Sequence, residues 1–173
     1  SKLGGVFNAA AAPDFKEADK ALLAWYEKQM KELGIDVHFG TEVTKDVIEG
    51  ETPDAVIVAS GAAPRKLSFK GEAEGQVVSA IDFLLGNKAV GKNIIVVGGG
   101  LTGCEIAYDI ARKGGNVTLV EMTDKILAAP LLSAANSNML RDLMKYHSVE
   151  IITSAKITEI NGSKAVVECE GKE

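Results

Sequence analysis

The apolar residues of the N-terminal half first recur at helical spacing. This pattern predicts a helix from Phe15 to Leu33, with Asp14 as its cap and Glu17 in the capping-box position. A stripe of this kind is expected to pack in a core. The stripe comprises Phe15, Ala18, Leu22, Trp25, Tyr26 and Leu33.

Short continuous apolar runs follow this helix and predict strands. The run at 35–39 indicates one strand, and the run at 54–61, DAVIVASG, is typical of a strand buried in a parallel sheet. Residues 62–75 contain charges and a proline and indicate a connector, and residues 80–85 indicate a short helix.

The C-terminal half alternates strands with helices. Apolar runs at 94–97, 117–120 and 149–152 predict three strands, and helical spacing predicts helices after Gly100 and from Ser133 to about His147. This order is typical of a parallel sheet built from βαβ units. The final segments flank Asn161-Gly162, a dipeptide typical of β-hairpins. We therefore expect an α/β, Rossmann-like three-layer fold with a parallel sheet and a β-meander.

The segment between the first two of these strands carries the main candidate chemistry. Gly98, Gly100 and Gly103 have G-x-G-x-x-G spacing, directly after a strand and at the start of a helix. Such glycines permit a tight turn, a close approach of the backbone to a diphosphate, and close packing of helix on sheet. The helix starting near Leu101 adds unpaired N–H groups and a positive dipole end. The alternative is a βαβ unit whose glycines serve packing alone.

Glu121 ends the second strand, where a carboxylate can accept hydrogen bonds from both hydroxyls of an adenosine ribose. The same charge would repel the 2′-phosphate of NADP(H). Residues 122–124 supply no arginine to offset that repulsion, and Lys125 is the nearest cation. The sequence therefore favours NAD(H) over NADP(H).

Composition limits the other possibilities. The 173 residues are 46% hydrophobic and 25% charged, as in ordinary globular proteins. A net charge of −5 with only three arginines argues against nucleic acid as a partner. Cys104 and Cys169 fit no metal-ligand spacing, and no apolar run is long enough to span a membrane. We expect a cytoplasmic protein without a metal site. Both ends of the sequence look cut from a longer chain.

Several motifs in combination resemble one family over nearly the whole chain. They are KLGGVFNAAAAPDFKE, LAWYEKQMKELGIDV, PDAVIVASGAAPR and VVGGGLTGCEIAYDIARKGGNVTLVEM. They are similar to the C-terminal part of bacterial 2-enoate reductases, which group with 2,4-dienoyl-CoA reductases among NADH:flavin oxidoreductases. The resemblance implies a parent enzyme with an FMN-binding (β/α)₈ barrel, a 4Fe–4S cluster, and FAD-binding and NADH-binding lobes.

The resemblance implies site residues in both lobes. Glu105 matches an acid that lies near the nicotinamide and flavin in related disulfide reductases, although a carboxylate in a first helical turn is favoured by the dipole alone. Residues 59–61 match the flavin-lobe ATG segment, with serine in place of threonine. The implied set is Gly98, Gly99, Gly100, Leu101, Thr102, Gly103, Glu105, Glu121 and Met122 for NADH, with Ser60 and Gly61 for FAD.

The departures from the family suggest two incomplete lobes. Residues 1–65 would be a partial FAD-binding lobe lacking its first strands, and residues 66–173 an NADH-binding lobe lacking its last strand. The barrel and the cluster cysteines lie outside this sequence. We expect no catalytic residue in this chain, and we expect it to be inactive alone. The truncated lobe could also associate as a homodimer.

The function implied is delivery of hydride from NADH to FAD for reduction of an activated C=C bond. The alternatives are the NADH-binding part of another FAD-dependent pyridine-nucleotide oxidoreductase, or a non-enzymatic NAD(H)-sensing domain. Cys104 lies where a helix dipole can lower a thiol pKa, but a packing role beside Gly103 is favoured.

Overall fold

The computed structural model describes residues 2–73 and 75–169, and the chain divides into two compact units at the boundary between Arg65 and Lys66. The described residues of the first unit form helices and irregular segments, without a strand. Its helices are α1 (Phe7–Ala10), α2 (Glu17–Glu32) and α3 (Lys45–Glu51). Thr44 caps α3 by accepting a hydrogen bond from the Val47 N–H at 3.4 Å.

Helix α2 begins later than the sequence predicts. The Lys16 N–H donates to the carbonyl of Pro13, which places Asp14 and Phe15 in a turn before the helix. Lys16 is the N-terminal capping residue, and no side chain caps the helix. The predicted capping role of Asp14 is therefore wrong, because the turn removes it from the capping position.

The apolar stripe of α2 is not a core surface. No residue of α2 is buried, and Trp25 and Leu33 are 52% and 69% exposed. The expectation that this stripe packs in a core is wrong for the residues described here.

The strands predicted at 35–39 and 54–61 are also absent. Both segments lack ladder hydrogen bonds, and Ile57 and Val58 are 91% and 84% exposed. A strand needs a neighbouring segment to pair with its N–H and C=O groups, and no described segment supplies one here. The homodimer stays a prediction, and the edge strand on which it was based does not form in the described residues.

The second unit carries the sheet. Its helices are α4 (Ala80–Leu84), α5 (Leu101–Arg112) and α6 (Ala134–Tyr146), and its strands are β1 (Asn93–Val97), β2 (Asn116–Val120), β3 (Glu150–Ile152), β4 (Ala155–Asn161) and β5 (Lys164–Cys169). Strands β1, β2 and β3 form a parallel sheet in that order. In the β1–β2 register, Val97 pairs with Val120. The turn after β1 and the residue after β2 therefore lie at the same edge of the sheet.

Strand β2 contributes side chains to hydrophobic clusters on both faces of this sheet. Val117 and Leu119 pack into a core formed with α5 and α6, whereas Val120 packs against Ala155 and Ile157 of β4. Because side chains alternate along a strand, β2 separates a helical layer from a hairpin layer. The Rossmann-like α/β fold and its three layers are confirmed.

The hairpin layer is smaller than a meander. Strands β4 and β5 pair antiparallel around Gly162, whose φ of +58° suits the turn, as the Asn161-Gly162 signal predicts. Lys70 adds a single parallel bridge to Glu159, and its ammonium lies 2.8 Å from the Glu159 carboxylate. The described residues thus form a two-stranded hairpin with one bridging residue instead of the predicted meander.

Two methionines on α6 test where the core lies. Met144 is fully buried, whereas Met139 is 58% exposed. Met144→Ala should lower the free energy of unfolding by about 2–5 kcal/mol because it leaves a cavity. Met139→Ala should change it by less than about 0.5 kcal/mol. Urea unfolding followed by circular dichroism measures both, and equal losses would contradict this core assignment.

Candidate functional site

The glycine turn connects β1 to α5. Gly98 has a φ of +105°, a conformation that favours glycine, and its N–H donates to the Val120 carbonyl at 2.8 Å. Gly100 is extended and is the N-terminal capping residue of α5, which begins at Leu101. The chain therefore leaves the sheet and turns into the helix within three residues.

The glycines meet different surroundings. A Cβ on Gly103 would lie 1.9 Å from the Gly98 carbonyl oxygen, so only glycine allows the helix to sit this close to the turn. A Cβ on Gly99 would lie 2.7 Å from a methyl group of Ile126. A Cβ on Gly100 would meet no atom within 4 Å. The backbone at Gly100 therefore borders open space that a ligand can occupy.

The start of α5 faces that space with donors. The first N–H groups of a helix have no intrahelical acceptor, and no side chain caps this helix. The twelve-residue helix also places about half a positive charge at this end. Open space, free N–H groups and a positive dipole end together suit an anionic group such as a diphosphate.

Glu121 lies beside the turn. Its Oε2 accepts a hydrogen bond from the Gly99 N–H at 2.6 Å, and its Oε1 accepts from the Thr123 N–H at 2.7 Å and the Thr123 hydroxyl at 2.8 Å. Backbone donors on two sides therefore fix the carboxylate at the edge of the sheet where β1 and β2 end.

The pKa of Glu121 reflects opposing effects. Partial burial raises this pKa, but the hydrogen bonds from Gly99, Thr123 and the Met122 N–H outweigh it and hold the pKa below its usual value. The carboxylate is therefore ionised at neutral pH. An ionised carboxylate accepts ribose hydroxyls and repels an added phosphate.

The loop after β2 is held by residues that no sequence motif indicates. Arg141, on α6, donates to the carbonyls of Ile126 at 3.0 Å and Leu127 at 3.4 Å. The Leu127 N–H donates in turn to the Gly99 carbonyl at 2.8 Å. These contacts join residues far apart in sequence, so no local motif predicts them.

The other predicted NADH-binding residues surround the same turn. Leu101, Thr102 and Met122 are exposed, and Glu105 is half-buried in the first turns of α5. Ser60 and Gly61 belong to the first unit, where they lie in an exposed segment without helix or strand. The structure thus brings the predicted NADH-binding residues together at one edge of the sheet.

Cys104 is a packing residue. It is fully buried, and its thiol donates to the Gly99 carbonyl at 3.3 Å. Burial raises its pKa to about 12, and the nearby charges of Glu121 and Glu105 act in the same direction while Arg141 opposes them. The favoured packing role therefore agrees with the structure, and the helix dipole does not make this thiol reactive.

Thiol labelling checks this assignment. With a pKa of about 12, only about one Cys104 thiol in ten thousand is ionised at pH 8, so the folded protein should resist alkylation there. A Cys169→Ser variant removes the second, half-buried thiol. Mass spectrometry after iodoacetamide treatment should show labelling of this variant only after denaturation. Rapid labelling of the folded variant would contradict the assignment.

Other kinds of site find no support among residues 2–73 and 75–169. They contain no group of three or more His, Cys, Asp or Glu side chains placed to hold a metal ion. Within the same ranges, no helix is both long and apolar enough to cross a membrane.

Known proteins share this architecture. Residues 48–173 match the pyridine nucleotide-disulphide oxidoreductase family. The chain is 38% identical over 173 residues to a cinnamate reductase of Clostridium sporogenes, covering 99% of this chain and 26% of that protein. It is 34% identical over 162 residues to an NADH oxidase of Thermoanaerobacter brockii, covering 91% of this chain and 25% of that protein.

A solved structure gives the same result. A 2-naphthoyl-CoA reductase in complex with 2-naphthoyl-CoA matches with a TM-score of 0.86 and 25% identity, covering 100% of this chain and 26% of that chain. These similarities confirm the resemblance to the FAD- and NADH-binding region of enoate-reductase-like enzymes. The chain spans about a quarter of the length of these relatives. Its sequence and fold place it in the pyridine nucleotide-disulphide oxidoreductase family of flavoproteins.

Proposed function

We propose that this chain is the NADH-binding part of a flavin-dependent reductase, which presents NADH to FAD for reduction of an activated C=C bond. The observation that carries the proposal is the pairing of an open glycine turn at Gly100 with an ionised, backbone-held carboxylate at Glu121. Diphosphate and ribose are neighbours in a dinucleotide, and these two features are neighbours at the sheet edge.

The residues divide the task between them. The N–H groups at the start of α5 hold the diphosphate, and the missing side chain at Gly100 leaves room for it. Glu121 accepts the hydroxyls of the adenosine ribose. We assign the remaining contacts with NADH to Met122, Thr102 and Glu105. When bound, NADH supplies the hydride, and the protein supplies orientation and an environment of defined charge.

Selectivity for NADH over NADPH follows from Glu121. A 2′-phosphate would bring negative charge to a carboxylate that three hydrogen bonds keep ionised and immobile. The loop residues 122–124 contain no cation, so the repulsion stays uncompensated unless Lys125 reaches the phosphate.

The fit to FAD is weaker. Ser60 and Gly61 lie in an exposed segment of the first unit, which offers no described cradle for a flavin. The FAD assignment therefore depends on the family and on the resemblance, with residues 1–65 proposed as part of an FAD-binding lobe. FMN and a 4Fe–4S cluster would belong to other parts of the parent protein.

The substrate class comes from the relatives. The cinnamate reductase and the 2-naphthoyl-CoA reductase are named for conjugated acids or their thioesters. A parent enzyme acting on a related unsaturated acid is the corresponding proposal. The NADH oxidase relative supports the alternative, another FAD-dependent pyridine-nucleotide oxidoreductase. The family match disfavours a non-enzymatic NAD(H) sensor.

Titration calorimetry with NADH, NADPH and FAD in parallel tests the proposal. We expect NADH to bind this chain, NADPH to bind more weakly, and NADH with cinnamate to give no turnover, because the site of alkene reduction lies elsewhere in the parent. Binding of FAD without NADH would overturn the assignment, and cinnamate reduction by this chain alone would overturn the division of roles.

A further inference from the structure

The Arg141 side chain links the loop after β2 to helix α6. The Arg141 guanidinium donates to two consecutive carbonyls, those of Ile126 at 3.0 Å and Leu127 at 3.4 Å. Its other end nitrogen donates to the Asn138 side chain at 3.1 Å. Arg141 therefore ties this loop to helix α6 through a charged donor, and hydrogen bonds to charged groups are among the stronger ones in proteins.

The fastened residues contact the glycine turn directly. The Leu127 N–H donates to the Gly99 carbonyl at 2.8 Å, and the Ile126 side chain packs on the Gly99 Cα. The Gly99 N–H donates to Glu121 at 2.6 Å. The peptide groups of Gly99 thus lie between the loop and the carboxylate, and their orientation depends on both.

The loop conformation needs an external restraint. Leu127 has a φ of +54°, in the left-handed region that is unfavourable for a residue other than glycine. The Leu127 side chain is buried, so packing holds the side chain while Arg141 holds the backbone carbonyl. Without the guanidinium on the carbonyls of Ile126 and Leu127, a change of Leu127 to a negative φ would lower the conformational energy of the loop. That change would withdraw the Leu127 N–H from Gly99.

We infer that Arg141 is a positioning residue of the dinucleotide site, holding the loop at 126–127 so that Gly99 and Glu121 keep the arrangement that receives NADH. The inference rests on the proposed function, since it assigns a role in NADH binding to a residue outside the glycine turn. Loss of the guanidinium lowers the fraction of molecules with a competent site, and the apparent Kd rises by the same factor.

Three variants separate this role from simple support of the fold. Arg141→Met keeps the length of the side chain and removes its donors, whereas Arg141→Lys keeps a charge and a single donor group. Asn138→Ala removes the contact of Arg141 with its own helix and leaves the two carbonyl contacts intact. Asn138 is exposed, which makes it a matched control on the same face of α6.

The readouts are NADH affinity by calorimetry and amide hydrogen exchange by NMR. Arg141→Met should raise the Kd for NADH about tenfold, corresponding to a competent fraction of about one in ten. Exchange should accelerate at the Leu127 amide but not at the Val149 amide, which donates to the Met144 carbonyl in the same unit. Arg141→Lys should give an intermediate Kd, and Asn138→Ala an unchanged one.

Contrary outcomes are distinct. Faster exchange at Leu127 with an unchanged Kd for NADH would overturn the inference, as would equal acceleration at Leu127 and Val149. If Arg141→Met does not fold, Arg141→Lys decides by the same two readouts. Failure of the unsubstituted chain to bind NADH would overturn the proposed function and this inference together, whereas normal binding by Arg141→Met would overturn the inference alone.

Discussion

Gly103→Ala is expected to destabilise the second unit by about 1–3 kcal/mol or more. The added Cβ would lie 1.9 Å from the carbonyl oxygen of Gly98, far inside the contact distance, and the obstacle is backbone that cannot rotate away. Helix α5 would have to move off the turn, opening the core it shares with β2. Thermal and urea unfolding followed by circular dichroism measure this loss.

Gly100→Ala is the matched control. Its Cβ would meet no atom within 4 Å, and its φ of −72° suits any residue. The variant should therefore fold and lose no more than the ~1 kcal/mol that alanine costs at an N-cap position, yet bind NADH at least about tenfold more weakly because the methyl group enters the diphosphate space. Wild-type stability in Gly103→Ala would contradict the packing argument, and normal NADH binding in Gly100→Ala would contradict the proposed location of the diphosphate.

Glu121→Gln is expected to weaken NADH binding about tenfold to a hundredfold, the loss that accompanies removal of a charge-assisted hydrogen bond. Each carboxylate oxygen now accepts from a fixed N–H, of Gly99 on one side and Thr123 on the other. A glutamine presents an amide NH₂ to one of these donors, so its side chain must also turn away. Calorimetry with NADH measures the affinity.

The same variant should narrow the preference for NADH over NADPH, because the charge that repels the 2′-phosphate is gone. Thr123→Ser keeps the hydroxyl and the backbone donors and should behave as the unsubstituted chain does. Unchanged selectivity in Glu121→Gln would show that the ribose lies elsewhere.

The pH dependence of binding follows from the pKa of Glu121. Partial burial raises this pKa, but the bonds from Gly99, Thr123 and Met122 bring it below the ordinary 4.5. Because folding depresses the pKa of Glu121, the ionised carboxylate stabilises the folded state fully above its unfolded-state pKa, and this stabilisation is lost as pH falls through the folded-state pKa. The same carboxylate stays ionised from pH 7 to about 5. NAD⁺ affinity, measured because NADH decomposes in acid, should therefore be constant over that range. A midpoint above 4.5 would contradict this.

The second unit could be predicted from its sequence because its signals are local. The apolar run before Gly98, the glycine spacing and the helical period after Gly100 act within a few residues of each other. Asn161-Gly162 fixes its hairpin in the same way. Such patterns specify a turn and the elements on both sides of it without reference to distant residues.

The first unit shows the limit of that reasoning. The apolar run at 54–61 has the composition of a buried strand. A strand also needs a neighbouring segment to pair with its backbone N–H and C=O groups, and composition does not show whether such a segment is present. The stripe on α2 has helical spacing, and the helix forms, yet Trp25 is more than half exposed. Periodicity predicts the element, while burial depends on what lies against it.

Some features of the candidate site follow from local sequence, and others depend on tertiary packing. The position of Glu121 at the end of β2 follows from strand length and motif spacing. Its bond with the Gly99 N–H spans 22 residues, and the contacts of Arg141 with the loop span 14 and 15. These pairings depend on how α6 packs and on the left-handed turn at Leu127, which the sequence alone does not reveal.

We propose that NADH lies with its diphosphate on the turn at 98–103 and its adenosine ribose at Glu121. Titration of the ¹⁵N-labelled chain with NADH, followed by amide-resolved NMR, locates the bound nucleotide residue by residue. We expect saturable shifts at Gly99, Gly100, Thr102 and the residues flanking Glu121, with the hairpin of β4 and β5 unaffected. Shifts confined to other regions, or no shifts at millimolar NADH, would contradict it.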